Sequence, residues 1–118
     1  MTTIRRASEQ ITEEVTSWPG VESGYGDRGE FGFNVEGREI GHLHGDGAAH
    51  FFFPTQVGLE LKRAGRVVDH PVFPGKPGPA ARRIENDDDI RDVTKLLRMN
   101  YERVVARSES RAATGRTA

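Results

Sequence analysis

Between Glu30 and Phe53 the side chains alternate so regularly that a three-strand meander is the simplest fold this stretch allows. In "EFGFNV", Phe31, Phe33 and Val35 fall on one face of an extended strand. "EGR" then turns the chain, and "EIGHLH" places Ile40, His42 and His44 together on one face. "GDG" supplies a second tight turn, because Gly45 and Gly47 tolerate positive φ. "AAHFFF" reads as the third strand and brings His50 back beside the other two histidines. The chain has four histidines, and only His70, in "VVDHPVF", lies outside this window.

A meander with one apolar face needs a cover, and the flanking sequence offers amphipathic helices. Ile4, Ala7, Ile11 and Val15 recur at helical spacing, which predicts a helix over 3–17 that "SWPG" stops. Pro54 opens a second helix, with Val57, Leu61 and Ala64 on one side and Gly65 as its cap. "RVVDHPVF" and "PAARRIE" read as two further strands joined by the Pro/Gly-rich "PGKPGP". Asn86 suits an N-cap, and Asp87, Asp88 and Asp89 suit the positive end of the helix dipole. Ile90, Val93, Leu97, Tyr101 and Val104 form the stripe of that last helix. The predicted order is α-β-β-β-α-β-β-α, an α+β fold with an antiparallel sheet of about five strands. At 118 residues the chain holds one core. The domain is expected over 1–106, with 107–118, which shows no periodicity, as a disordered tail.

Composition narrows the function classes. Seventeen basic residues stand against 18 acidic ones, so the basic excess of a nucleic-acid binder is missing and no nucleic-acid partner is expected. No apolar run approaches the roughly 20 residues of a membrane span, and mean hydropathy is −0.63. The first residues, "MTTIRRASEQITEEV", lack the apolar segment of a secretory signal, so a soluble, cytoplasmic protein is expected. With no Cys there is neither a disulfide nor a thiolate nucleophile, and any metal must be held by His and carboxylates.

Most local motifs are structural. "GYGDRG" matches G-x-G-x-x-G, but a Trp-Pro-Gly turn precedes it and an alternating strand follows, so it reads as a turn and not as a dinucleotide loop. "NDDDI" is explained by the helix dipole rather than by a divalent ion. No G-x-S-x-G elbow exists. Arg82 and Arg83 are adjacent on a strand, so at most one can face a given pocket. The histidines are different, since imidazole near neutral pH can accept a proton, donate one or bind a metal.

The run "REIGHLHGDGAAHFFFPTQVGLELKRAGRVVDHPVFPGKPGP" resembles the luciferase-like domain family, which includes the C-terminal half of the fungal luciferases. The resemblance covers roughly residues 18–105 and rests on Arg38, Glu39, Ile40, His42, His44, His50, His70 and Pro71. The fungal proteins are much longer, and the turn between His44 and His50 is shorter here, so the likeness speaks for the fold and the histidine cluster rather than for light emission. It implies an oxygenase that needs no metal or organic cofactor and acts on a small aromatic or pyrone-like substrate. On that footing His42 or His44 is the candidate base, with its partner and His50 orienting the substrate. Arg38 or Arg82 would offset negative charge, His70 would close the pocket, and Phe31, Phe33 and Phe52 would be apolar walls. Two alternatives stand beside it. His42, His44, His50 and His70 could hold a first-row transition metal, with Asp46 or Asp69 as ligand or support. A non-catalytic domain binding a small molecule or a protein is the other.

Overall fold

A computed structural model describes residues 5–116, and side chains as far as Ala113. Nine elements follow one another: α1 (Ala7–Thr16), β1 (Glu22–Tyr25), β2 (Phe31–Val35), β3 (Arg38–His44), β4 (Ala48–Phe52), α2 (Thr55–Arg63), β5 (Val68–Asp69), β6 (Pro79–Arg83) and α3 (Asp87–Arg116). The strands form one antiparallel sheet in the order β1-β2-β3-β4-β6-β5. This is the α+β arrangement that the alternation implies, with one strand more than expected. The added strand is β1, whose four residues are all exposed and so carry no apolar alternation.

The alternation of β2 and β4 sends Phe33, Val35, Ala49 and Phe51 to one face, where they meet Ile11 and Val15 of α1 and Val93, Leu96 and Leu97 of α3. Phe33, Phe51, Ile40, Ile11, Leu96 and Leu97 are fully buried in that single core. Trp18 closes it at one end, tilted against Tyr101 at 5.3 Å, and the Tyr101 hydroxyl donates to the Pro19 carbonyl at 2.7 Å. The "SWPG" turn therefore both stops α1 and anchors it to α3. The polar side chains of β3 and β4 project from the opposite face of the sheet.

Two boundary expectations change. The first helix begins at Ala7, and the part of the expected helix before Arg5 lies outside the described residues. α3 runs on through Arg116, where a structureless tail was expected from 107. Over 107–113 Arg107, Glu109, Arg111, Ala112 and Ala113 are good helix formers, which sustain a helix by propensity without a buried stripe. Asn86 does cap α3, its side-chain oxygen accepting the Asp89 N–H at 2.9 Å.

Candidate functional site

The open face of the sheet gathers all four imidazoles. His42 on β3 pairs with His50 on β4, and His44 sits two residues beyond His42 on the same side. Ring centres lie 4.9 Å apart for His42 and His44, 5.3 Å for His42 and His50, and 4.2 Å for His44 and His50. His70, just past β5, completes the row at 4.3 Å from His50. They line a hollow of about 430 Å³, closed on one side by Phe52, Val72 and Phe73 and on the other by Asp27, Arg28 and Glu30. That volume falls within the roughly 300–1,000 Å³ range of small-molecule sites. A hollow of about 550 Å³ lies elsewhere, between α1 and the β1–β2 loop, and it contains no histidine.

The histidine at 42 is held by a partner that alternation alone would put on the wrong face. Its Nδ1 lies 3.0 Å from Oε2 of Glu39, three residues earlier on the same strand. Residues three apart in a regular strand face opposite ways. Here the register between β2 and β3 shifts, with Phe33 opposite Gly41 and Asn34 opposite Glu39. Ile40 is the extra residue of a β-bulge. It turns into the core, fully buried, instead of standing beside His42 and His44 as the alternation predicts. Glu39 and His42 thereby share the open face. A carboxylate can only accept, so Nδ1 of His42 donates, and the neutral ring keeps its lone pair on Nε2.

His70 has the opposite polarity. It is buried, at 5% exposure, and its Nδ1 accepts the Val72 N–H at 3.1 Å. A neutral His70 therefore carries its proton on Nε2 and offers a donor to the hollow. Burial pushes its pKa down, and the nearby His42 and His44 imidazoles, which would repel a second positive ring, add to the effect. Burial likewise pushes His50 down to about 4, with His44, His70 and His42 adding to the effect, so His50 is neutral at physiological pH. Across the hollow, the Glu30 carboxylate is held below its usual range by its own backbone N–H and that of Arg28, and in smaller part by His42 and His44.

Ligand atoms of His42, His44 and His50 all lie within 4.8 Å of one another, a spacing open to a shared metal ion. With Nδ1 of His42 engaged by Glu39, its Nε2 is the free ligand, and a carboxylate behind a ligating imidazole is the usual support of such a site. His70 is outside this group, because its Nδ1 is taken and its Nε2 bears hydrogen.

The other expected residues distribute differently. Phe52 belongs to the hollow, 5.5 Å from His70 and 6.1 Å from Phe73. Phe31 and Phe33 do not: they pack edge to face at 5.6 Å on the helix side, Phe33 in the core and Phe31 against it. Arg82 also points to the helix side, its guanidinium on Asp89 at 2.6 Å and Asp92 at 2.9 Å. Register decides this, since Arg82 pairs with Ala49, a core residue, while Ala81 pairs with His50. Arg38 lies at the far end of β3, beside Glu36 and Arg107. Asp46 accepts the Ser8 N–H at 2.9 Å, and Asp69 is paired with Lys62 at 2.9 Å, so neither carboxylate reaches the histidines. In their place the hollow has Arg28 as its cation and Glu30 and Asp27 as its acids, with Glu39 standing behind His42. Gly41 was the available signal for Glu39, because a glycine inside a strand pattern marks a bulge. "GYGDRGE" does turn the chain, but nothing in a turn motif says which hollow its tip will border.

A family profile described as the luciferase domain matches residues 37–100, more than half of the chain. The chain belongs to the luciferase domain family. The matched span opens at the β2–β3 turn, includes Glu39 and all four histidines, and closes at Asn100 of α3. No curated protein and no solved structure matches the chain. Among the described residues, no helix of this luciferase domain is long and apolar enough to cross a membrane.

Proposed function

We propose that this luciferase domain is an oxygenase-type enzyme whose histidine hollow takes a small, planar, hydroxylated aromatic or pyrone-like substrate. The observation that carries the reading is the pair of opposite imidazole polarities in one hollow. Nε2 of His42, oriented by Glu39, offers a lone pair to the acidic hydroxyl of the substrate. Nε2–H of His70, fixed by Val72, offers a hydrogen bond to the oxygen that becomes negative. Phe52 and Phe73 give the ring an apolar wall. The deprotonated substrate is electron-rich and supplies the electrons that O₂ accepts, so no protein group needs to change oxidation state. Base catalysis of this kind contributes about 10²–10⁴ in rate. Oxygen uptake is to be measured over a panel of hydroxylated pyrones and phenols, with wild type and His42→Ala. A substrate turned over by wild type and slowed at least a hundredfold by His42→Ala supports the reading, and equal rates would refute the base.

A second reading is favoured by the 4.8 Å grouping of His42, His44 and His50, by Asp27 and Glu30 on the rim and by Glu39 behind His42. A net negative rim attracts a cation, and neutral imidazoles are what a divalent first-row ion binds. In this reading His44, His50 and Nε2 of His42 would hold the ion, which would supply a Lewis acid toward the substrate hydroxyl, and His42 would be a ligand instead of a base. Elemental analysis of protein purified without chelator or nickel resin separates the two. One ion per chain, lost on His44→Ala, supports the metal, and a substoichiometric content leaves the base reading alone.

A further inference from the structure

We infer that Asn100, on α3, is a positioning residue for the Glu39–His42 pair. The inference rests on the hollow being the functional site and holds whether His42 is base or ligand. A bulge leaves backbone groups without ladder partners, and at β3 the carbonyl concerned is that of Ile40. Asn100 Nδ2 donates to it at 3.0 Å, reaching back across 60 positions of the chain. Asn100 is 1% exposed, and it and His70 are the buried polar residues among those described. An apolar side chain would suit this position on the core face of α3 better unless the amide had a task, since burying a polar group is unfavourable without a partner. Arg103 fixes the amide's orientation by donating to Oδ1 at 2.7 Å, so the NH₂ group is the one that meets Ile40.

The neighbouring contact points the same way. A Cβ at Gly41 would come within 2.5 Å of the Leu97 side chain, one turn before Asn100 on α3. The helix therefore grips both residues of the bulge, one by steric fit and one by a hydrogen bond. Without the Asn100 donor, the Ile40 carbonyl is satisfied most simply by regular pairing of β3 with β2. Regular pairing sends Glu39 and His42 to opposite faces.

The test reads ring tautomers by long-range ¹H–¹⁵N correlation in ¹⁵N-labelled protein. Wild type is expected to hold His42 as a single Nδ1–H tautomer. Asn100→Leu, and independently Asn100→Asp, which keeps the Arg103 contact but cannot donate, should lose it while His70 stays Nε2–H. Val93→Ala, a core truncation two turns away on α3, should disturb neither ring. Retention of the Nδ1–H form at His42 in either folded Asn100 variant would overturn the inference. Global unfolding of both variants would overturn it too, because the bond would then serve the whole fold rather than the pair. Since the readout is a tautomer and not turnover, failure here is distinct from failure of the proposed function.

Discussion

The two faces of one sheet are built from the same strands and treat the same residue types in opposite ways. On the helix side Arg82 meets Asp89 and Asp92, and Phe33 and Phe51 are sealed beneath α1 and α3. Arg82 there has its counter-charges, and the rings are packed into the core. On the open side four imidazoles crowd within 5.3 Å of their nearest neighbours, and among the described residues two of them, His42 and His70, have a hydrogen-bond partner that orients the ring. Burial lowers the pKa of both His50 and His70, so their presence in the hollow makes the folded chain sensitive to acid. Titratable groups gathered in a hollow with displaced pKa values make it the candidate site. The contrast teaches that the helix side specifies the fold and leaves the open side free for the proposed chemistry.

Truncation should separate the faces most strongly. Phe33→Ala, on the closed side, is expected to lower unfolding free energy by about 3–5 kcal/mol. His42→Ala, on the open side, should change it by no more than about 1 kcal/mol. Urea denaturation of both variants checks this, and a His42→Ala loss as large as that of Phe33→Ala would make the histidines part of the core.

Acid should act next, and through the open face. The unfolded chain protonates His50 near 6.5, whereas the folded chain does so only near 4. Within that window the unfolded state binds more protons, so stability is complete above about 6.5 and falls as pH drops toward 4. The shift bounds the loss at roughly 3 kcal/mol. His50→Phe, which never charges, should flatten this part of the profile. An unchanged slope between pH 6.5 and 4 would show that His50 is not the group responsible.

Smaller still is the expected effect of Glu39→Ala. Removing the carboxylate behind His42 should reduce turnover, or metal affinity in the second reading, by about ten- to a hundredfold. Glu39 is partly exposed, so denaturation midpoints should barely move. A variant that lost stability instead of function would place Glu39 with the scaffold.

How far the sequence could be read follows the same division. Phe31, Phe33 and Val35 alternate cleanly, and the helix side of β2 is theirs. The three histidines of the hairpin converge because strand spacing and a tight turn bring them together, and both features are local. The bulge is not local: Ile40 looks like a companion of His42 until α3 packs on Gly41, so Glu39 stays hidden behind an odd spacing. Arg82 shows the same limit, because only the pairing with β4 decides which of two adjacent arginines turns inward. β1 has four exposed residues and no apolar rhythm to read.

The most direct test of the account is the protonation pattern of the histidine rings in the folded wild-type protein near pH 7, read by nitrogen-15 chemical shift. His42 should bear its hydrogen on Nδ1 and His70 on Nε2, with His50 uncharged between them. Finding His42 and His70 in the same tautomer, or His50 carrying a full positive charge, would contradict the site described above.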